Sequence, residues 1–166
     1  MKTVLFLCSG NYYRSRFAEE YFNHLATEQE CAWRATSRGL VADRPNGNVG
    51  PMSPLAQAAL RAQGIATPAD PRAPQQVTAE ELAAASLVIA LKEAEHRPML
   101  ARRFPEFENA VVYWTVHDLD VATADQVLPA LTGAVAELLA QLCRADQGVN
   151  KDLTPAKHLL NNIAGQ

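Results

Sequence analysis

Near the amino terminus of this 166-residue chain, a cysteine and an arginine are separated by five residues. A thiolate is a strong nucleophile, and an arginine guanidinium can hold two oxygens of a phosphate group without losing its proton. Gly10 and Asn11 between them tolerate left-handed backbone angles, which lets successive amides converge on one concavity. We therefore predict an oxyanion-binding loop with Cys8 as nucleophile and Arg14 as phosphate clamp. The predicted substrate-binding positions are Ser9, Gly10, Asn11, Tyr12, Tyr13 and Ser15.

The elements on either side of this loop predict a place where ligands bind. The apolar residues 4–7 are typical of a central parallel strand, covered on both faces, that ends near Cys8. After Ser15, apolar residues recur at helical spacing. A loop that leads from the end of a strand into a helix N-terminus points unpaired amides at an anion. The same positive environment favours the thiolate form of Cys8. A buried structural cysteine and a solvated arginine would show the same spacing, so the position of the motif carries the argument.

The rest of the chain predicts three more strands, at residues 33–37, 87–91 and 111–114, with helices between them. Ser53, Pro54 and Gly64 indicate the ends of one helix. A capping box opens another at Thr78, and a third is expected to have Pro98 near its start. A long amphipathic helix follows the last strand. The expected fold is an α/β domain over residues 1–145, with a four-stranded parallel sheet flanked by helices on both faces, and a polar tail at 146–166 that can hold one short helix.

Composition narrows the range of functions. Lys and Arg number 15 against 18 Asp and Glu, so no basic field favours nucleic acid, and a phosphorylated protein or a small phosphate ester suits the chain better. The apolar start is too short for a signal peptide or a membrane span. Three widely spaced cysteines predict no disulfide framework and no metal site, with Cys31 and Cys143 in the core. We expect a cytoplasmic monomer or weak homodimer, and solvated side chains for Arg16, Arg38 and Arg72.

Residues 4–19, VLFLCSGNYYRSRFAE, resemble the amino-terminal signature of the low-molecular-weight protein tyrosine phosphatases. The resemblance continues less sharply over roughly the first 145 residues. It implies a four-stranded parallel sheet, hydrolysis through a phosphocysteine without metal or cofactor, and an acidic residue on a late loop as general acid. It also implies that Asn11, Ser15 and Ser37 hold the phosphate loop by hydrogen bonds.

The acid of this family is matched here by Asp118, because of its spacing from Trp114. Asp120 is the alternative and His117 a weaker one. The family usually has proline and aromatic residues after this aspartate, whereas this chain has Leu119, Asp120 and Val121. We therefore expect a weaker preference for phosphotyrosine.

A second departure is Tyr13, at the position where many members have a second cysteine, so no disulfide can form within the loop. Tyr12 and Tyr13 are expected at the mouth of the pocket, with packing of Tyr12 against a neighbouring helix as the alternative.

Two other functions fit the same loop. Arsenate mimics phosphate, but the related arsenate reductases use further cysteines in the middle of the chain, which this sequence lacks. An arsenate reductase on this scaffold would therefore need an external thiol. A phosphate-sensing or phosphoprotein-binding module would keep the loop without efficient turnover, and the altered acid loop keeps that alternative open.

Overall fold

The sheet contains four parallel strands: β1 (Lys2–Cys8), β2 (Trp33–Gly39), β3 (Leu87–Ala90) and β4 (Val112–Tyr113). Their order across the sheet is β2, β1, β3, β4. The computed structural model describes residues 1–116 and 123–148. In these ranges the helices are α1 (Arg14–Glu28), α2 (Pro54–Ala62), α3 (Ala79–Ala84), α4 (Glu93–Arg103) and α5 (Ala124–Asp146). The predicted four-stranded parallel α/β fold is confirmed.

The apolar run in β1 is continuous because both faces of this strand are covered. Val4 and Phe6 belong to one buried cluster, which includes residues of α1, α2 and α5. Leu5 and Leu7 belong to a second cluster, to which α3 and α4 contribute. Successive side chains of a strand point to opposite faces, so alternate residues of β1 fill the two clusters. This central strand delivers Cys8 to the carboxyl edge of the sheet.

The signals for helix ends differ in how well they worked. Thr78 and Glu81 form the predicted capping box at the start of α3. Ser53 takes the N-cap position of α2, but its hydroxyl makes no capping hydrogen bond. The prediction that Pro98 lies near the start of its helix was wrong, because α4 begins at Glu93 and has Pro98 inside it. The earlier start is stabilised by His96, whose Nδ1 accepts a hydrogen bond of 3.0 Å from the N–H of the N-cap residue Lys92.

A disulfide joins Cys31, just before β2, to Cys143 in α5, with the Cα atoms 5.9 Å apart. The expectation that the three cysteines form no disulfide framework was therefore wrong for Cys31 and Cys143. The two residues are 112 positions apart, and they meet because α5 packs against α1 on the same face of the sheet. Cys31 is buried in the main hydrophobic cluster, which is the one that contains Val4 and Phe6, and Cys143 packs against the same cluster, as expected.

The segment Gln126–Asp146 of α5 is long and apolar enough to cross a membrane by length and composition, and among the described residues it is the one helix of this kind. Its apolar side chains fill the core instead: they include Val127, Leu131, Val135, Leu138 and Leu142. The pattern is therefore accounted for by packing on the sheet. The predicted short helix of the tail lies outside the described residues.

Candidate active site

The loop between β1 and α1 is fixed from outside by backbone hydrogen bonds. The carbonyls of Cys8 and Ser9 accept from the N–H groups of Leu40 and Val41, at 2.9 and 3.0 Å. Asn11 has a φ of +51°, in the left-handed region. In the part of the chain that the structure describes, the amides of residues 10–12 donate to no protein acceptor. The loop therefore directs carbonyls outward and keeps amide donors for an anion.

Cys8 lies at the foot of this loop and is 3% exposed. Its Sγ is 3.0 Å from the hydroxyl oxygen of Ser15, which is fully buried. The same hydroxyl oxygen accepts a hydrogen bond of 3.0 Å from Nδ2 of Asn11. Because that oxygen already accepts from an amide, the hydroxyl proton of Ser15 is left to point at the sulfur. This arrangement suits a thiolate.

The side-chain amide of Asn11 makes four hydrogen bonds, which use its full capacity. Nδ2 donates to Ser15 and, at 2.9 Å, to the hydroxyl of Ser37. Oδ1 accepts from Nη1 of Arg72 at 2.9 Å and from the N–H of Gln75 at 3.0 Å. The left-handed residue of the loop is thus held by three other segments of the chain. This is the kind of role that the resemblance implies for Asn11, Ser15 and Ser37.

Arg16, Arg38 and Arg72 are not solvated as expected. Arg72 donates to the carboxylate of Glu19 at 2.7 Å, in addition to its contact with the loop. Arg16 is 1% exposed and donates to the carbonyl oxygen of Arg72 at 2.8 Å. Burial lowers the pKa of Arg16, and the charge of Arg72 adds to this effect. Arg38 pairs with Glu81 of α3 at 2.7 Å.

Arg14, in the first turn of α1, is 1% exposed and contacts a carboxylate from α4. Its Nη2 donates to Oε1 of Glu95 at 3.0 Å and its Nη1 to Oε2 of the same residue at 3.3 Å. The hydroxyl of Ser9 also donates to Oε1 of Glu95. Nη1 of Arg14 further donates to the carbonyl of Val116 at 3.2 Å. The guanidinium thus already holds two oxygens of one oxyanion, in the geometry that a phosphate group can use.

Glu95 is ionised in this environment. Burial opposes its charge, but hydrogen bonds from His96, Arg14 and Ser9 outweigh that effect and hold the pKa of Glu95 far below its ordinary value of 4.5. His96 is fully buried, and its Nδ1 already accepts from the backbone of Lys92. Its proton is therefore on Nε2, which lies 3.5 Å from Oε1 of Glu95.

The family model for low molecular weight phosphotyrosine protein phosphatases matches residues 3–145. The chain belongs to this family. Its members are cysteine-based phosphatases, which is the chemistry that the predicted nucleophile and clamp suggest. No curated protein sequence matches the chain significantly.

Solved structures that are similar to this chain have the same fold. The low molecular weight protein tyrosine phosphatase of T. tengcongensis is 30% identical, and the match covers 86% of this chain and all 100% of that one, with a TM-score of 0.68. A YwlE arginine phosphatase mutant with a phosphorylated active-site serine is 26% identical over 90% of this chain and 97% of that chain, with a TM-score of 0.66. YfkJ from Bacillus subtilis has a TM-score of 0.73 at 24% identity, covering 89% and 98% of the two chains.

In this family member, the two tyrosines of the loop have different surroundings. Tyr13 is 6% exposed and belongs to the main hydrophobic cluster, so its expected place at the mouth of the pocket was wrong. Tyr12 is partly buried, and its hydroxyl donates to the carbonyl of Val49 at 2.7 Å. Tyr12 therefore fastens the loop to the segment before α2.

Gly39 was not identified from the sequence, although it pairs with Cys8 across the sheet. A Cβ atom at this position would lie 2.8 Å from the carbonyl oxygen of Ser9 and 3.1 Å from the N–H nitrogen of Asn11. Only glycine permits this approach between β2 and the loop. Glu95, His96 and Arg72 were also missed as parts of the site, because they are distant in sequence from Cys8.

The predicted general acid, Asp118, lies outside the described residues, as do Asp120 and His117. The last described residue before them, Val116, is hydrogen bonded to Arg14. Within residues 1–116 and 123–148 no three histidine, cysteine or acidic side chains are grouped so that they could hold a metal ion.

Proposed function

We propose that this protein is a phosphomonoester hydrolase that acts through a cysteinyl-phosphate intermediate on Cys8. The observation that carries the proposal is the 3.0 Å contact between the sulfur of Cys8 and the hydroxyl of Ser15, at the foot of a loop with amide donors and a guanidinium. A hydroxyl donor next to a buried sulfur stabilises a thiolate, both before attack and when it departs. The phosphorylated active-site serine of the YwlE mutant supports this position as the one that accepts phosphate.

The reaction has two displacements at phosphorus. The thiolate of Cys8 attacks the phosphorus atom, and the bond from phosphorus to the ester oxygen breaks while a proton from Asp118 reaches that oxygen. Water then attacks the phosphocysteine, Asp118 accepts its proton, and the phosphorus–sulfur bond breaks to return the thiolate. Arg14 and the amides of the loop stabilise the charge on the equatorial oxygens in both steps.

The substrate class follows from the family and from two departures near the acid. One relative is named for tyrosine and another for arginine, so the phosphoryl-bearing group varies among relatives. Leu119 and Val121 offer no aromatic wall for a phenyl ring. We propose a phosphorylated protein or small phosphate ester, with phosphotyrosine a poorer substrate than in members that have the aromatic residues. Comparing kcat/KM for phosphotyrosine peptides and alkyl phosphates checks this, and a strong selective preference for the peptides would overturn it.

Thiol-coupled arsenate reduction is disfavoured by the other cysteines. The chain has three cysteines, and two of them are bonded to each other at the amino edge of the sheet. Cys8 is at the carboxyl edge and has no second thiol to resolve an arsenylated sulfur within the chain. The cytoplasmic location stays a prediction. The disulfide counts against it, because disulfides persist mainly in oxidising compartments.

The decisive experiment uses Cys8→Ser with p-nitrophenyl phosphate as substrate and inorganic phosphate as ligand. We expect turnover to be abolished while phosphate still binds in calorimetry, because the amides and Arg14 remain. A variant that retains a tenth of the wild-type rate would exclude Cys8 as nucleophile. Arg14→Lys should also be severely impaired despite the conserved charge, since an ammonium has no planar two-point contact. Binding of phosphate by a wild type that hydrolyses nothing would favour the binding module.

A further inference from the structure

Glu95 occupies the guanidinium donors of Arg14, which a substrate phosphate would also use. Its two carboxylate oxygens accept from both terminal nitrogens of Arg14, at 3.0 and 3.3 Å, and Oε1 also accepts from the hydroxyl of Ser9. Ser9 belongs to the loop between β1 and α1 and Arg14 is the first residue of α1, whereas Glu95 is in the first turn of α4. A carboxylate is a smaller oxyanion than phosphate but presents the same pair of oxygens to a guanidinium.

The charge balance of the site changes when a phosphate monoester enters. A buried guanidinium such as that of Arg14 needs an anionic partner, and Glu95 is one such partner. A phosphate dianion brings a second and larger negative charge to within a few ångströms of the same guanidinium. Two anions on one guanidinium repel each other. Glu95 must then share its hydrogen bonds from Arg14 with the phosphate or lose them.

Of the two partners, Glu95 is the one that can move. The side chain of Arg14 is 1% exposed and that of Glu95 is 26% exposed. A glutamate at the solvent edge of a helix start can rotate its carboxylate into water, where its charge is hydrated. Arg14 has no comparable route, because it is also bonded to the carbonyl of Val116.

We propose that Glu95 is a displaceable counter-anion of Arg14, which occupies the phosphate clamp in the free enzyme and sets the affinity of the site for oxyanions. This rests on the proposed function, in which Arg14 binds the substrate phosphate. Displacement of Glu95 opposes substrate binding and equally opposes retention of the product phosphate. The residue thereby adjusts KM and product inhibition together.

The test measures inhibition by inorganic phosphate and by vanadate, with p-nitrophenyl phosphate as substrate. Glu95→Gln keeps the shape and removes the competing charge, so phosphate should bind about tenfold more tightly and KM should fall by a similar factor, the scale of one charged hydrogen bond. Phosphate affinity that is unchanged or weaker in Glu95→Gln would overturn the proposal and would indicate that Glu95 instead orients Arg14 in the complex.

Two further variants separate direct contact from long-range charge. Glu93→Gln removes the same charge from a side chain that is 53% exposed and pairs with Arg97 on the surface, and phosphate affinity should stay within twofold. Glu95→Asp keeps the charge but shortens the side chain, so phosphate should bind more tightly than in the wild type. If Glu93→Gln tightened binding as much as Glu95→Gln, or Glu95→Asp behaved as the wild type, displacement at the clamp would be wrong.

The same titrations distinguish this proposal from the proposed function. Calorimetry with inorganic phosphate, on Cys8→Ser with and without Glu95→Gln, reports oxyanion affinity where no turnover is needed. Equal affinities in the two proteins would overturn the displacement of Glu95 and leave the hydrolase intact. Tighter binding in the double variant, in a chain whose wild type has no turnover, would support the role of Glu95 and overturn the hydrolase.

Discussion

The guanidinium of Arg72 donates a 2.9 Å hydrogen bond to the side-chain oxygen of Asn11, the residue whose left-handed backbone shapes the phosphate loop. A second nitrogen of Arg72 binds Glu19 in α1 at 2.7 Å. One arginine, in the loop between α2 and α3, thus braces the turn that surrounds Cys8. Activity should therefore depend on Arg72, although this residue does not belong to the loop that carries Cys8.

Arg72→Met should lower kcat/KM by roughly 10- to 100-fold, because a charged hydrogen bond contributes about 1.5–3 kcal/mol. The matched control is Arg102→Met, which removes an exposed arginine of α4 and should have little effect. Steady-state kinetics with p-nitrophenyl phosphate measures both variants. Near-normal activity of Arg72→Met would show that Asn11 keeps its conformation without this contact.

Gly39→Ala should damage both stability and activity. The added methyl group would lie 2.7 Å from the Cβ of Ala42 and 2.8 Å from the carbonyl of Ser9, so β2 and the loop must separate. We expect a loss of about 1–3 kcal/mol in the free energy of unfolding, together with weaker phosphate binding. Gly133→Ala in α5 meets nothing within 4 Å and should be neutral or stabilising. Denaturant titrations compare the two, and equal stabilities would contradict the close approach.

Reduction of the disulfide between Cys31 and Cys143 should destabilise the protein without changing its catalysis. Its loop spans 112 residues, and the chain-entropy model gives about 4.7 kcal/mol for a loop of roughly that size. The bond lies near the start of β2, at the edge of the sheet opposite Cys8. Unfolding of Cys31→Ser/Cys143→Ser should thus occur at lower denaturant concentration, while kcat at 25 °C stays unchanged. A parallel fall in kcat would contradict this separation.

Glu95 should make the stability of the protein sensitive to acid. Its pKa in the folded protein is far below the ordinary value of 4.5, because hydrogen bonds to its ionised form outweigh the cost of its burial. A group with a lowered folded pKa stabilises the fold fully above its unfolded pKa and loses this contribution as the pH falls toward the folded value. The wild type should therefore lose stability from about pH 5 downward more steeply than Glu95→Gln. Melting temperatures at several pH values provide the measurement, and identical slopes would contradict it.

The rates of Asp118 and Asp120 variants should differ in how strongly they depend on the leaving group, and this difference identifies the acid. Asp118→Asn should lose about 10²–10⁴-fold with an alkyl or phenyl phosphate, and much less with p-nitrophenyl phosphate, whose leaving group departs without a proton. Asp120→Asn should show no such dependence. If the two phenotypes were exchanged, the acid would be Asp120. A response of neither variant would favour the binding module.

The sequence by itself determined the parts of the site that are close along the chain. The strand that ends at Cys8, the helix that begins at Arg14 and the left-handed Asn11 all follow from side-chain patterns within about a dozen residues, the range over which periodicity and capping act. The continuous apolar run of β1 also indicated a strand buried on both faces.

Only the tertiary structure decided which distant residues meet this loop. Glu95 reaches Arg14 because β3 lies directly beside β1, so that the helices after both strands start at the same edge. Arg72 reaches Asn11, and Cys31 reaches Cys143, for similar reasons of strand order and helix packing. Such contacts depend on how separate elements pack around a shared core, and no spacing within one segment encodes them.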